Sequence, residues 1–289
     1  MIDLSVIVLN YNNSDMLKGC LKSVYDSTSG VSFEVIVVDN ASTDDSLQMV
    51  KANFPKARII ENRMNLGFSK ANNMGLAAAS GKYCMLLNND TIVKDGAFKQ
   101  LVEFMDKTPT CGACGPKLLN EDGSVQRQGG IFAVPFWRAK SPVSVSFLMG
   151  ACLMVRREVV KSVGMLDENL FFYNDDLDWV RRIKGAGHKL FFVPSSEVIH
   201  FGGGGAKQTF NRRMFIEGFR GGLYFCKKHY GALAYHLYRF TLALFFPLSV
   251  LLLAFSVPFR GVPAFKERLS AYYEILRIAL FGPVEYPWK

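Results

Sequence analysis

The stretch LSVIVLNYNNSDMLKGCLKSVYDSTSGVSFEVIVVDN, residues 4–40, decides the fold. Its first six residues are almost wholly apolar and too few for a helix, so they read as a buried strand. Leu17, Leu21 and Val24 then recur at helical spacing behind Ser14 or Asp15, either of which supplies a helix cap. Residues 35–38 form a second apolar run. Strand, amphipathic helix and strand in that order make a βαβ unit with parallel strands. The alternation continues outward. Ser42 or Thr43 caps a second helix to about residue 54, residues 57–60 give a third strand, residues 68–79 an alanine-rich helix and residues 83–87 a fourth strand. The expected class is α/β, with a mostly parallel central sheet.

Open α/β sheets bind ligands beyond the carboxyl ends of their strands. Asn10 and Tyr11 follow strand one, Asp39 ends strand two, and Asn88, Asn89 and Asp90 follow strand four. The first turn, NYNN, contains neither GxGxxG nor GxxxxGK[ST], so a dinucleotide fingerprint and a Walker phosphate loop are both excluded there. Further along, FFYNDDLDWVRRIKGAGHKLFFVPSSEVIH, residues 171–200, sets Asp175, Asp176 and Asp178 ahead of a helical run and ends a strand on His200. Three acids in four positions repel unless a metal, a proton-transfer role or a helix cap uses the charge.

The 289 residues, 49% hydrophobic, are enough for one large α/β domain with an appendage, and disorder is excluded. The net charge of +9 is concentrated at one end, because beyond residue 205 twelve Lys and Arg face four Glu. That basic segment is interleaved with long apolar runs, which favours an anionic membrane surface or lipid over nucleic acid. Residues 240–257 are nearly all apolar, about the minimum for crossing a bilayer, with Pro247 expected to kink them. Arg239 and Arg260 stand at both ends and give no orientation. Residues 269–281 form a second amphipathic piece suited to the membrane interface. The alternative for this tail is a hydrophobic helix buried against the first domain or a partner. Gly202 to Gly205 read as a hinge, which places a first domain at 1–205 and a helical tail at 206–289.

The six cysteines lie in mostly apolar surroundings, and no signal sequence opens the chain, so a reducing cytosolic setting is expected. Cys111 and Cys114 form a CxxC without a second pair at zinc-site spacing, inside what reads as a small-residue strand.

NYN at 10–12, VVDNASTD at 37–44, NLGFSKANNMG at 65–75, LLNND at 86–90, GACLMVRRE at 150–158 and YNDDLDW at 173–179 together resemble the family 2 glycosyltransferases, most nearly the bacterial rhamnosyltransferase-like branch. The resemblance runs from residue 3 to about residue 230. It implies a GT-A fold, a nucleotide-sugar donor, Mn²⁺ or Mg²⁺, and an inverting displacement. Asp39 matches the acid that binds the base and Tyr11 the ring beside it; a helix cap and a core tyrosine are the respective alternatives. Asn88-Asn89-Asp90 stands where the family has DxD, so Asp90 is its firm acid and Asn88 at best a neutral ligand. His200 matches a metal-ligand histidine. Asp176 matches the general base, with Asp175 replacing the usual glutamate; capping of the following helix is the alternative for both. Asn65 and Lys70 are candidates for ribose or diphosphate contacts, and Arg212 and Arg213 for diphosphate or lipid phosphate. The branch implies dTDP-β-L-rhamnose as donor, a glycan or polyprenyl-diphosphate-linked acceptor, and action at the cytoplasmic face of the cell membrane. A homo-oligomer is left open. Two other readings are a non-catalytic nucleotide-sugar-binding scaffold, suggested by Asn88, and a nucleotidyltransferase, whose glycine- and arginine-rich loop NYNN does not supply.

Overall fold

A computed structural model describes residues 2–128, 135–202, 210–254 and 262–282. The chain divides into two compact units, one of residues 1–168 and 175–208 and the other of residues 169–174 and 209–289.

The first unit is built on a nine-stranded sheet. β1 (Leu4–Asn10), β2 (Phe33–Asp39), β3 (Arg58–Glu61) and β4 (Tyr83–Asn88) alternate with α1 (Ser14–Ser27), α2 (Ser46–Asn53) and α3 (Phe68–Ala78). They lie in the order β3-β2-β1-β4, all parallel. The chain leaves β1 toward β2 on one side and returns to β4 on the other. β1 and β4 therefore flank a topological switch point, where the loops diverge and leave room for a ligand. Beyond β4 the sheet becomes mixed. β8 (Cys152–Arg156) runs antiparallel to both β4 and β6 (Cys111–Leu119), and β9 (Lys189–His200) is parallel to β6. The short strands β5 (Thr91–Val93) and β7 (Val143–Val145) each pair antiparallel with β9. The helices of this half are α4 (Ala97–Lys107), α5 (Arg157–Val163) and α6 (Asp175–Gly185).

Period-two alternation sorts the core. Val6 and Val8 of β1, with Val35 and Val37 of β2, pack on one face against Leu17, Leu21 and Val24 of α1. Ile7, Ile36 and Val38 point to the other face, against Ala71 and Leu76 of α3. Strands buried on both faces read as continuous apolar runs, as these do. α3 lies so close to β1 that a Cβ on Gly75 would sit 2.4 Å from Ile7 Cγ2.

Three local expectations change. The residue before α1 is Asn13, without a side-chain cap, and the Ser14 N–H donates instead to Asp44 Oδ2 at 3.1 Å. α2 starts at Ser46 behind Asp45, so Ser42 and Thr43 are not its caps. They tie the β2 loop to the β1 loop: Asn12 N–H donates to Ser42 Oγ at 2.9 Å, and Thr43 N–H to Asn12 Oδ1 at 2.7 Å. The third change is in the second unit.

That unit carries α7 (Arg212–Ala254) and α8 (Val262–Phe281). α7 is two helical segments meeting at Gly231, whose φ of 80° suits a residue without Cβ. The break is thus at Gly231, and Pro247 lies inside a helix. Tyr235, Leu242 and Phe246 of α7 pack with Ala271, Ile275 and Ile278 of α8. Of the expected glycine hinge, Gly203 to Gly205 lie outside the described residues.

Candidate active site

β1 and β2 end in register, with Asn10 opposite Asp39, and β4 brings Asn88 opposite Leu9. The polar residues that close these strands therefore emerge side by side. Asn10 is fully buried and joins them: its Nδ2 donates to Asp39 Oδ1 at 3.4 Å and to Ser42 Oγ at 3.2 Å, while its Oδ1 accepts from Asn89 Nδ2 at 2.7 Å. Asp39 Oδ2 also accepts the Ser42 N–H at 2.9 Å. A carboxylate held by one amide and one backbone donor has acceptor capacity left over for a ligand. Tyr11 is half exposed at 49%, so it is not a core tyrosine.

The next turn closes on itself through Asn40. Its amide donates to Asn65 Oδ1 and the Gly67 carbonyl, and its carbonyl accepts from Asn62 Nδ2 and the Leu66 N–H. Asn65 Oδ1 also accepts the Gly67 N–H at 2.9 Å, so this oxygen shapes the loop into α3. Lys70 is exposed on α3.

Asp90 and His200, 110 residues apart in sequence, meet because Thr91 of β5 pairs with His200 at the end of β9. Their side chains, both buried, approach to 3.4 Å between Asp90 Oδ1 and His200 Nε2, and Asn88 Nδ2 lies 3.4 Å from the same nitrogen. The other ring nitrogen, Nδ1, lies 2.8 Å from Gln126 Oε1. An amide oxygen only accepts, so Nδ1 carries the proton, and in the neutral ring Nε2 presents its lone pair toward Asp90. Gln126 is held in turn by its Nε2, which donates to Asn120 Oδ1 and to the His200 carbonyl. Among the described residues no three His, Cys, Asp or Glu side chains converge. The donor set is one carboxylate and one imidazole with a fixed outer partner; Asn88 presents its amide nitrogen here and would add an oxygen ligand with the amide turned over. That set fits a divalent cation whose remaining positions are filled by ligand or water oxygens.

Asp175 and Asp176 open α6. Asp176 Oδ2 accepts the Gly150 N–H at 3.0 Å and Oδ1 the Leu177 N–H at 2.7 Å. The Gly150 bond ties it to the strand-end turn, because neighbouring Ala151 accepts the Asn88 N–H at 2.9 Å. Burial raises the Asp176 carboxyl above its ordinary range, against the pull of those backbone donors. Asp175 is raised well above it, by burial first and by Asp176 second. Asp178 has a different use: its carboxylate pairs with Arg182 Nε at 2.7 Å inside the core. Tyr173 and Asn174 precede the pair with φ of 64° and 63°, a strained placement for side-chain-bearing residues.

The structure thus connects Asn10, Asp39, Asn88, Asn89, Asp90, His200 and Asp176 through named bonds in one unit. Arg212 and Arg213 belong to the other unit, where Arg212 Nε donates to Ser270 Oγ at 2.9 Å and Arg213 lies 4.3 Å from the Phe171 ring centroid. Sequence pattern alone does not mark Gln126 or Gly150. Gln126 carries no sequence signal beyond following the turn-forming NEDG of residues 120–123, and Gly150 none beyond leading the GACLMVRRE segment. The CxxC is structural: Cys111 and Cys114 are buried on β6, and burial pushes the Cys114 thiol well up.

The family model for Glycosyl transferase family 2 matches residues 5–164. The sequence is 30% identical, over 68% of this chain and 75% of the relative, to the N-acetylglucosaminyl-diphospho-decaprenol L-rhamnosyltransferase of Mycobacterium tuberculosis. It is 26% identical to the dTDP-rhamnosyl transferase RfbF of Shigella flexneri, over 57% of this chain and 59% of that one. Among solved structures, the mannosyltransferase PcManGT of Pyrobaculum calidifontis, in complex with GDP-Man and Mn²⁺, matches with a TM-score of 0.61 and 16% identity, over 96% of this chain and 86% of that one. GalNAc-T7 with UDP, GalNAc and Mn²⁺ matches at 0.62 and 18%, over 76% of this chain and 47% of that one. These likenesses establish a GT-A fold.

Proposed function

The chain belongs to glycosyltransferase family 2, and from that membership we propose that its strand-end site transfers L-rhamnose from dTDP-β-L-rhamnose to a polyprenyl-diphosphate-linked glycan. The observation that carries the reading is the bonded chain from Asp39 through Asn10 and Asn89 to the turn bearing Asp90, whose side chain meets His200 at the end of β9. It supports a reading in which Asp39 binds the base and Asp90 with His200 binds the cation. The rhamnosyl transfers named for the M. tuberculosis and S. flexneri relatives support the donor sugar, and the decaprenol-linked substrate of the former supports the acceptor class.

In this proposal Asp39 accepts the thymine imide N–H and Tyr11 stacks beside the base. Asn65 and Lys70 lie toward the ribose and diphosphate. Asp90 and His200, with Asn88, would hold Mn²⁺ or Mg²⁺, which would neutralise charge on the diphosphate leaving group. Asp176 takes the proton from the acceptor hydroxyl as that oxygen bonds to the anomeric carbon and the bond to the diphosphate breaks on the opposite face. Burial, which raises its carboxyl, makes it a better base than an exposed aspartate. Burial, and Asp176 after it, raise the Asp175 carboxyl well above its ordinary range, which favours its uncharged form beside that base. The reaction belongs to cell-surface polysaccharide synthesis at the cytoplasmic face of the membrane.

The test uses the purified full chain with Mn²⁺, dTDP-rhamnose, UDP- and GDP-sugars and a polyprenyl-diphosphate-GlcNAc acceptor. Rhamnosyl transfer is expected, with Asp176→Asn lowering kcat on the order of a hundred- to ten-thousand-fold. Turnover with UDP-sugars alone overturns the donor. Tight nucleotide binding without any transfer overturns the enzyme reading.

A further inference from the structure

The second segment of α7 is mostly apolar, and α8 packs along one side of it. Tyr235, Leu242 and Phe246 are buried against α8. Leu233, Leu237, Phe240, Leu244 and Leu248, spaced four, three, four and four residues apart, are each at least 57% exposed. At 100° per residue the two sets lie on opposite faces of the helix. An exposed stripe of five large apolar side chains on one face marks a contact surface.

Its occupant is set by charge and by the helix pair. Within residues 210–254 and 262–282, nine Lys and Arg face three Glu. A second copy would bring like charge to like charge, whereas an anionic lipid surface is complementary. Spanning is opposed by α8, which carries Lys266, Glu267, Arg268, Glu274 and Arg277 in twenty residues and packs along the same segment. Arg239 fastens the pair, its guanidinium donating to the Ala279 and Leu280 carbonyls at 2.6 and 2.8 Å. Driving α7 across a bilayer would carry α8's charges into hydrocarbon. A helix lying in the interface keeps them in water.

We infer that the stripe from Leu233 to Leu248 inserts in the plane of an anionic bilayer and docks the protein on it without crossing. This deepens the proposed function, which needs access to a lipid-linked acceptor, but it is tested apart from it. Full-length protein is sedimented with phosphatidylcholine vesicles with and without phosphatidylglycerol, beside the variant Leu237→Glu/Leu244→Glu. Wild type should bind the anionic vesicles, release in high salt or alkaline carbonate, and remain in solution with the neutral ones. The variant should lose about tenfold or more of its partitioning while circular dichroism and dTDP binding stay as in wild type. Equal binding by both proteins, resistance of wild type to carbonate, or a wild-type dimer in solution that the variant abolishes without change in vesicle binding would each overturn the inference. If the variant misfolds, Leu233→Ser and Leu248→Ser, at the ends of the stripe, replace it, and an unchanged partition coefficient has the same meaning. Vesicle binding without sugar transfer would sink the proposed function alone.

Discussion

At the scale of single residues, the cation pair depends on a side chain that does not touch the cation position. Gln126 Oε1 fixes the proton of His200 on Nδ1, and its Nε2 grips the His200 carbonyl. Removing such an outer partner costs roughly 10–100-fold in metal affinity in comparable sites. Gln126→Leu should weaken Mn²⁺ binding by that order, read by calorimetry, and shift the ¹⁵N signals of the His200 ring toward a tautomer mixture in metal-free protein. An unchanged ¹⁵N pattern would remove Gln126 from this role. Asp175 supports a second prediction. Its folded-state carboxyl is raised, by burial first, so the folded protein binds a proton that the unfolded chain, with a carboxyl near about 3.9, releases. Stability therefore falls as pH rises from the ordinary carboxylate range through the raised value. Asp175→Asn should raise Tm at neutral pH, and the gain should vanish at pH values below the ordinary range. A gain that persists there would point to packing instead of ionisation.

At the scale of elements, the approach of α3 to β1 positions the loop that carries Asn65. Gly75 permits it, and a methyl group there meets Ile7 Cγ2 at 2.4 Å, closer than side chains tolerate. Gly75→Ala should cost about 1–3 kcal/mol through overpacking, measured by urea denaturation; a neutral or stabilising result would mean that α3 shifts freely. The same elements show what the sequence could express. β1, α1, β2, α3 and β4 were legible because burial on one or both faces imposes a period, and Asp39 and Asp90 were legible because strand ends place them. Direction was not. The apolar run of β8 looks the same whichever way it travels, so its antiparallel insertion between β4 and β6 had no signature. Nor could Ser42 and Thr43 be told from caps, since a hydroxyl near a helix start serves equally to bridge two loops. The partnership of Gln126 with His200, across 74 residues, arises from the β6–β9 pairing and from the turn that folds Val125 and Gln126 back onto the end of β6.

On the scale of the whole molecule, the first unit contains both ends of the proposed donor site, and the second carries the basic apolar helix pair. Within the first unit the Asp39 end and the Asp90–His200 end share two amides, Asn10 and Asn89. A dinucleotide-free diphosphate donor that occupies both ends should therefore bind cooperatively with the cation, and the coupling must be reciprocal. A ligand specific for the folded state stabilises it by about 2.7 kcal/mol at about a hundredfold excess over Kd. With dTDP and Mn²⁺ together, the rise in Tm should exceed the sum of the rises with each alone. Asn89→Ala removes the donor to Asn10 Oδ1 while leaving Asp39 and its Ser42 bond in place. In that variant the response to dTDP without metal should stay near wild type, and the extra rise with Mn²⁺ should shrink. Additive shifts in wild type, or an undiminished extra rise in Asn89→Ala, would show that the base end and the cation end act independently.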